Sequence, residues 1–158
     1  MKKKGFTIIE TVVVLTIISV ISGLSLASYN SFQQQKKVQQ QSTQVVDVLE
    51  LAKAKSLASD LSGPGACDID DFEGYQVNIS STTSYTLERC CDGACANVQL
   101  YRLPSGLTFN DVGKQILFQP LTGGTAGTTV AVKNASNTCA PIGISSTGVI
   151  DEQPLTSC

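Results

Sequence analysis

Histidine and tryptophan are absent from this 158-residue chain, and charged residues make up only 15% of it. Without an imidazole, the chain lacks the base that the usual hydrolase triads require. The glycine-rich stretch at residues 123–127 is not followed by the Lys-Ser/Thr pair of a phosphate-binding loop. Lys53 and Lys55 belong to a predicted helix as surface charges, so they are not candidates for Ser-Lys catalysis. These absences predict that the protein is not an enzyme.

Basic residues are few and concentrated at the start of the chain. The formal net charge is −2, but without the three lysines at positions 2–4 the chain has 8 basic and 13 acidic residues. From Leu103 onward the only basic residues are Lys114 and Lys133. Binding to DNA requires clustered Lys or Arg side chains that displace counterions. DNA is therefore an unlikely partner on sequence grounds.

An apolar segment follows the three lysines at positions 2–4. It runs over 22 residues from Phe6 to Ala27 and contains a single acid, Glu10, which makes it long enough to span a bilayer as a helix. The preceding lysines should stay in the cytoplasm, so the rest of the chain should lie outside it. A secretory signal peptide is disfavoured because no small-x-small cleavage site closes the segment. A plain membrane anchor leaves Glu10 unexplained, because a carboxylate in a bilayer costs a few kcal/mol.

The string Lys-Gly-Phe-Thr-x-x-Glu at residues 4–10, with the apolar segment after it, resembles the prepilin N-terminal signature of type IV pilins and type II secretion pseudopilins. The resemblance implies that a prepilin peptidase cuts between Gly5 and Phe6 and that the new amine of Phe6 is N-methylated. It also implies that Glu10 pairs with the terminal amine of a neighbouring subunit during filament assembly. Such a counter-charge would make a buried carboxylate tolerable.

Beyond residue 27 the pattern predicts that the helix continues as an amphipathic helix over residues 28–62. Apolar residues return at i, i+3, i+4 and i+7, namely Val45, Val48, Leu49 and Ala52. Gly63-Pro64-Gly65 is expected to end the helix.

After residue 65 the apolar residues alternate with polar ones, which is typical of half-buried strands. Six short segments show this pattern, and turn-forming residues separate them: 75–79, 85–87, 98–100, 116–118, 130–132 and 142–144. The sequence therefore predicts an α+β fold, in which a long N-terminal helix with a transmembrane first half packs against an antiparallel sheet or sandwich. Residues 66–158 form the predicted head domain.

Several segments in this order resemble the GspH/FimT group of minor pseudopilins. They are residues 48–56, 74–77, 85–87, 103–109, 116–120 and 144–150. The resemblance implies a structural subunit, a minor pseudopilin or minor pilin, of a type II secretion pseudopilus or a type IV pilus. Its partners would be prepilin peptidase, other pilins or pseudopilins, the inner-membrane assembly platform and membrane lipid. The alternatives are a major pilin and an adhesive or ligand-binding tip subunit on the same scaffold.

Six cysteines lie in the predicted head domain: Cys67, Cys90, Cys91, Cys95, Cys139 and Cys158. An even number on the exported side of a membrane predicts disulfides, in preference to a zinc site. Spacing alone leaves 15 pairings open. The resemblance to pilins, whose C-terminal segments are often closed by a disulfide, implies Cys139–Cys158. Cys67 would then pair with Cys90 or Cys91, and the remaining cysteine with Cys95.

Four carboxylates crowd the start of the head domain: Asp68, Asp70, Asp71 and Glu73. Carboxylates on a short loop can hold calcium, as major pseudopilins do, but the spacing is not that of an EF-hand. The preferred interpretation is a solvated acidic loop, with calcium as the weaker candidate. No other cofactor is expected.

Overall fold

A computed structural model describes residues 7–62 and 67–158, with the backbone alone over residues 23–28. The described residues form one long α-helix, a short 3-10 helix and nine β-strands. Their bounds in chain order are α1 Ile8–Leu57, the 3-10 helix Ile69–Asp71, β1 Phe72–Asn78, β2 Ser84–Cys91, β3 Ala94–Arg102, β4 Leu107–Phe109, β5 Gln115–Phe118, β6 Thr128–Asn134, β7 Thr138–Ile144, β8 Ile150–Glu152 and β9 Thr156–Ser157.

The strands form two antiparallel sheets. Sheet A has the order β3-β2-β1-β5, and sheet B has the order β4-β6-β7-β8, with β9 pairing with β7. The predicted α+β class is confirmed. Each of the six segments with alternating apolar residues overlaps a strand. The short strands β4, β8 and β9 span only two or three residues, too few to show a period of two.

The chain divides into two units, of which the first extends to Lys36 and the second, here called the C-terminal unit, begins at Lys37. In the C-terminal unit the apolar stripe of α1 is buried as predicted, and Leu49 and Ala52 have no exposed surface. The stripe joins the inward-facing residues of both sheets in one core. Burial of a Val or Leu side chain contributes about 1.5–3 kcal/mol, so this helix face is a large part of what holds the sheets together.

The end of α1 differs from the expectation. The helix ends at Leu57, ahead of Gly63-Pro64-Gly65, which lie outside the described residues. Ser59 adopts a left-handed conformation with φ 46°, and the amides of Ser59 and Asp60 donate to the carbonyls of Ser56 and Lys55. These two bonds form a Schellman motif, which caps the last carbonyls of a helix. A serine in the position that glycine usually occupies carries no strong signal in the sequence.

One expected core residue is on the surface. The alternating pattern predicts that Leu100 shares an apolar face with Val98, yet its side chain is 53% exposed. The pairing of β2 with β3 shifts register between Leu87 and Glu88, so Leu100 lies opposite Thr86 on the outer face of sheet A. Tyr101 takes the inner position and stacks on Tyr85, with 5.1 Å between the ring centroids.

Gly74 allows β1 to pass close to β5. Its φ is +128°, and a Cβ at this position would lie 2.0 Å from the carbonyl oxygen of Phe118. The register of β1 against β2 shifts at the same point, between Phe72 and Gly74. Only glycine satisfies both the backbone angle and the contact.

Replacing Gly74 by alanine should therefore prevent normal folding, at a cost above about 4 kcal/mol. Gly106→Ala is the matched control, because Gly106 has φ +86° but no neighbouring atom within 4 Å of the position that a methyl group would occupy. The control should lose only about 1–2 kcal/mol. Thermal unfolding of the two purified variants measures the difference, and equal losses would contradict the steric explanation.

Candidate functional site

Thr7 caps the N-terminus of α1. Its Oγ1 accepts a hydrogen bond from the backbone amide of Glu10 at 3.3 Å, and its carbonyl accepts from the amide of Thr11. The sequence Thr7-Ile8-Ile9-Glu10 fits the capping-box pattern, in which Ser or Thr is followed three residues later by Glu or Gln. The sequence interpretation overlooked Thr7, although this spacing was the available signal.

Glu10 lies in the first turn of α1 and is exposed. A negative charge at this end of a helix is favourable because the free amides there carry partial positive charge. Gly5 and Phe6 lie outside the described residues. The cleavage site, the methylation site and the pairing of Glu10 with a terminal amine therefore stay predictions.

The first turns of α1 present a broad apolar surface. Ten large aliphatic side chains are each at least 46% exposed: Ile8, Ile9, Val12, Val13, Val14, Leu15, Ile17, Ile18, Val20 and Ile21. The hydroxyls of Thr16 and Ser19 donate to the carbonyls of Val13 and Leu15, both at 2.8 Å, so these polar groups are satisfied within the helix. Large exposed apolar patches usually mark an interaction surface.

Within the described residues, no helix is both long enough and apolar enough to pass through a membrane.

Three disulfides cross-link the C-terminal unit, and all six cysteines are paired. Cys90–Cys95 joins opposing residues of β2 and β3, and Cys139–Cys158 holds the end of the chain beside β7. Of the two partners left open for Cys67, the structure selects Cys91. This bond attaches the segment before β1 to sheet A.

The segment after α1 is held against sheet A by buried polar side chains. Arg89, only 1% exposed, donates from Nη1 to the carbonyl oxygens of Leu61 at 2.6 Å and Ser62 at 3.1 Å. The hydroxyl of Tyr75 donates to the carbonyl oxygen of Asp60 at 2.7 Å. These bonds satisfy the backbone carbonyls of residues 60–62, which follow the helix and have no partner in a strand.

An ion pair between Lys55 and Asp60 completes this attachment. The hydrogen bond from Lys55, followed by one from the Ser62 amide, holds the pKa of the Asp60 carboxyl well below its usual range. The same hydrogen bond raises the pKa of Lys55 above its usual value. Both side chains are about one quarter exposed, so solvent weakens the interaction.

Asp60→Asn should lower stability at neutral pH by about 0.5–1 kcal/mol, because the charge is lost while the hydrogen bond from Ser62 is kept. The pKa of Asp60 is lower in the folded state than in the unfolded state. The ionised carboxylate therefore contributes to stability at pH values above the unfolded pKa of about 3.9, and this contribution is lost as the pH falls through the folded pKa. The gap in melting temperature between wild type and variant should narrow from pH 5 to pH 2. A gap that does not change with pH would contradict this account. Asp111→Asn, at the more exposed Lys114 pair, is the control and should have a smaller effect.

The four carboxylates considered for calcium are not brought together. Asp68, Asp70 and Asp71 are exposed around the 3-10 helix, while Glu73 accepts a hydrogen bond from the amide of Gly93 at 3.1 Å. In the part of the chain that the structure describes, no group of three His, Cys, Asp or Glu side chains converges as a metal site would require. Calcium binding stays the weaker of the two interpretations that the sequence offers for these carboxylates.

Comparison with protein families finds one match. Residues 1–26 match the Prokaryotic N-terminal methylation motif, which indicates a type IV pilin-like prepilin substrate. This motif contains Gly5, Phe6 and Glu10 and covers about one sixth of the chain. No curated protein and no solved structure matches. The match concerns only residues 1–26, and the structure alone describes the C-terminal unit.

Proposed function

We propose that this protein is a structural subunit, a minor pseudopilin or minor pilin, of a type II secretion pseudopilus or type IV pilus. The observation that carries the proposal is the methylation motif at residues 1–26, combined with an exposed apolar helix surface that has Glu10 in its first turn. The apolar surface would be covered first by lipid and then by the corresponding helices of neighbouring subunits.

Processing would begin on the cytoplasmic side of the inner membrane. Prepilin peptidase would hydrolyse the bond between Gly5 and Phe6 and so remove the three lysines. The new amine of Phe6 would then be methylated by transfer of a methyl group from a sulfonium methyl donor. The helix would stay in the membrane as a single-pass anchor, with the C-terminal unit outside the cytoplasm. Three disulfides in that unit support this placement, because disulfides persist in oxidising compartments.

Glu10 would guide each subunit into the filament. In an apolar filament core its carboxylate would attract the amine of Phe6 of a neighbouring subunit strongly, because little water screens the two charges. The cap formed by Thr7 sets the position of the first turn, and with it the direction in which Glu10 leaves the helix. Head-to-tail contacts of this kind are heterologous, and they produce open helices when the rotation does not close a ring.

The order of strand and turn segments, which is similar to the GspH/FimT group, favours a minor pseudopilin. The second candidate is a major pilin, which the disulfide Cys139–Cys158 at the end of the chain favours. The amount of the chain in the filaments distinguishes the two candidates, because a major pilin makes up most of the fibre and a minor subunit only a small part of it.

Glu10→Ala tests the proposed function in cells that make the full chain. The variant should insert into the membrane at least as well as wild type, because it lacks an intramembrane carboxylate. Its amount in sheared filaments should fall about tenfold or more, because an unpaired terminal amine stays in the core. Immunoblots of membrane and filament fractions measure both quantities.

Glu50→Ala is the matched control, since Glu50 is an exposed acid on the same helix within the C-terminal unit. It should enter filaments at the wild-type level. Normal incorporation of Glu10→Ala would contradict the proposed role of Glu10. Absence of the wild-type chain from every filament fraction would contradict the proposed function itself.

A further inference from the structure

The outer face of sheet A contains a buried carboxylate. Tyr75 and Val77 of β1 face the core, so Gln76 and Asn78 face outward, together with Thr86 and Glu88 of β2. Glu88 is only 7% exposed. Its Oε2 accepts from Gln76 Nε2 at 2.5 Å, and its Oε1 accepts from Thr86 Oγ1 at 2.6 Å and from Asn78 Nδ2 at 3.2 Å.

All three of these donors are uncharged, and no ion pair to Glu88 is present among residues 7–62 and 67–158. An ionised carboxylate has about four acceptor positions, so one position on Oε2 is still available. A charge that is removed from water without a counter-charge is costly. The cluster therefore holds a negative charge in place while leaving it without a cation.

Exposed and partly exposed side chains surround Glu88 on this face of sheet A. Asn97 lies opposite Glu88 on β3 and is exposed, and the outward-facing Leu100 lies opposite Thr86. On the other side, Leu117 of β5 pairs with Gln76 and is partly exposed. The buried Glu88 thus lies beside exposed and partly exposed apolar side chains, which a partner protein can cover. We call this surface the Glu88 face, defined by Gln76, Asn78, Thr86, Glu88, Asn97, Leu100 and Leu117.

We propose that the Glu88 face docks a Lys or Arg side chain of a different protein subunit. This proposal rests on the function proposed above, since a filament supplies such neighbours. Residues 37–158 contain 7 basic and 12 acidic residues, so charge complementarity favours a basic partner. The incoming cation would donate to the available position of Glu88, and Leu100 would contact the stem of the same side chain.

A second copy of this chain fits the Glu88 face less well. Of the seven basic residues of the C-terminal unit, Arg89 is buried, Lys55 bonds to Asp60, Lys114 bonds to the carbonyl of Thr129, and Lys133 bonds to Asn110 at 3.2 Å. A second copy could therefore offer only Lys37, Lys53 or Arg102. Two copies with the same negative balance would also repel each other. The occupant is therefore assigned to a subunit of another sequence that carries an exposed cation.

Site-specific photocrosslinking of the full chain in its native cells tests this proposal. The photoreactive residue p-benzoyl-phenylalanine replaces Leu100, the cells are irradiated, and mass spectrometry maps the joined segment in membrane and filament fractions. The expected product joins Leu100 to a segment of another chain that contains Lys or Arg. Glu88→Gln should lower its yield about tenfold, the effect of losing about one charged hydrogen bond.

Glu73→Gln is the matched control on sheet A, because Glu73 is an exposed carboxylate of β1. It should leave the yield unchanged. Intact mass and melting temperature check that Glu88→Gln keeps its disulfides and its fold. Exchanging the mapped cation of the partner for Glu should also lower the yield, and combining that change with Glu88→Lys should restore it.

A yield that Glu88→Gln leaves at the wild-type level would overturn the proposal, as would a joined segment without Lys or Arg. A Glu88-dependent product in the membrane fraction of cells whose filaments lack the chain would support docking and contradict the filament function. Normal filaments together with a crosslinked product whose yield Glu88→Gln does not change would contradict docking and support the filament function.

Discussion

The packing of one helix face against two sheets is the interaction on which the rest of this structure depends. Val45, Leu49 and Ala52 are almost completely buried, and they join the inward-facing residues of sheets A and B in a single core. The same helix, Ile8–Leu57, carries an exposed apolar surface in its first turns. The core of the C-terminal unit uses only the later part of the helix, from Val38 onward. Under the proposed function, lipid or neighbouring subunits cover the exposed surface.

Much of the fold could be predicted from the sequence, because it follows from periodicity. The i, i+3, i+4, i+7 stripe at Val45 to Ala52 and the alternating strands are local patterns that the core then uses. The end of the helix could not be predicted, because a Schellman motif at Ser59 depends on one left-handed serine and on contacts with Arg89 and Tyr75 that lie far away in the sequence. The exposed position of Leu100 depends on a register shift between two strands, which no single segment encodes.

The candidate functional residues also include some that the sequence indicates and one that it does not. The N-terminal residues form a contiguous string, so Gly5, Phe6 and Glu10 could be identified by their spacing, and the methylation motif covers all three. Glu88 could not be identified, because its meaning comes from three strand neighbours on β1 and β2 that supply hydrogen bonds without a positive charge. Both carboxylates raise the same physical question, which is where the counter-charge comes from. In each proposal the counter-charge comes from another subunit.

Intact-mass spectrometry of the chain from native cells shows whether the leader is removed while the helix is retained. The expected species begins at Phe6 and carries one added methyl group. It also lacks six hydrogen atoms because of the three disulfides. A trace of this species in filaments and a clear signal in membranes would indicate a minor subunit, and dominance in filaments a major pilin. A chain that keeps Met1 to Gly5, or one that has lost the whole apolar segment, would contradict the account.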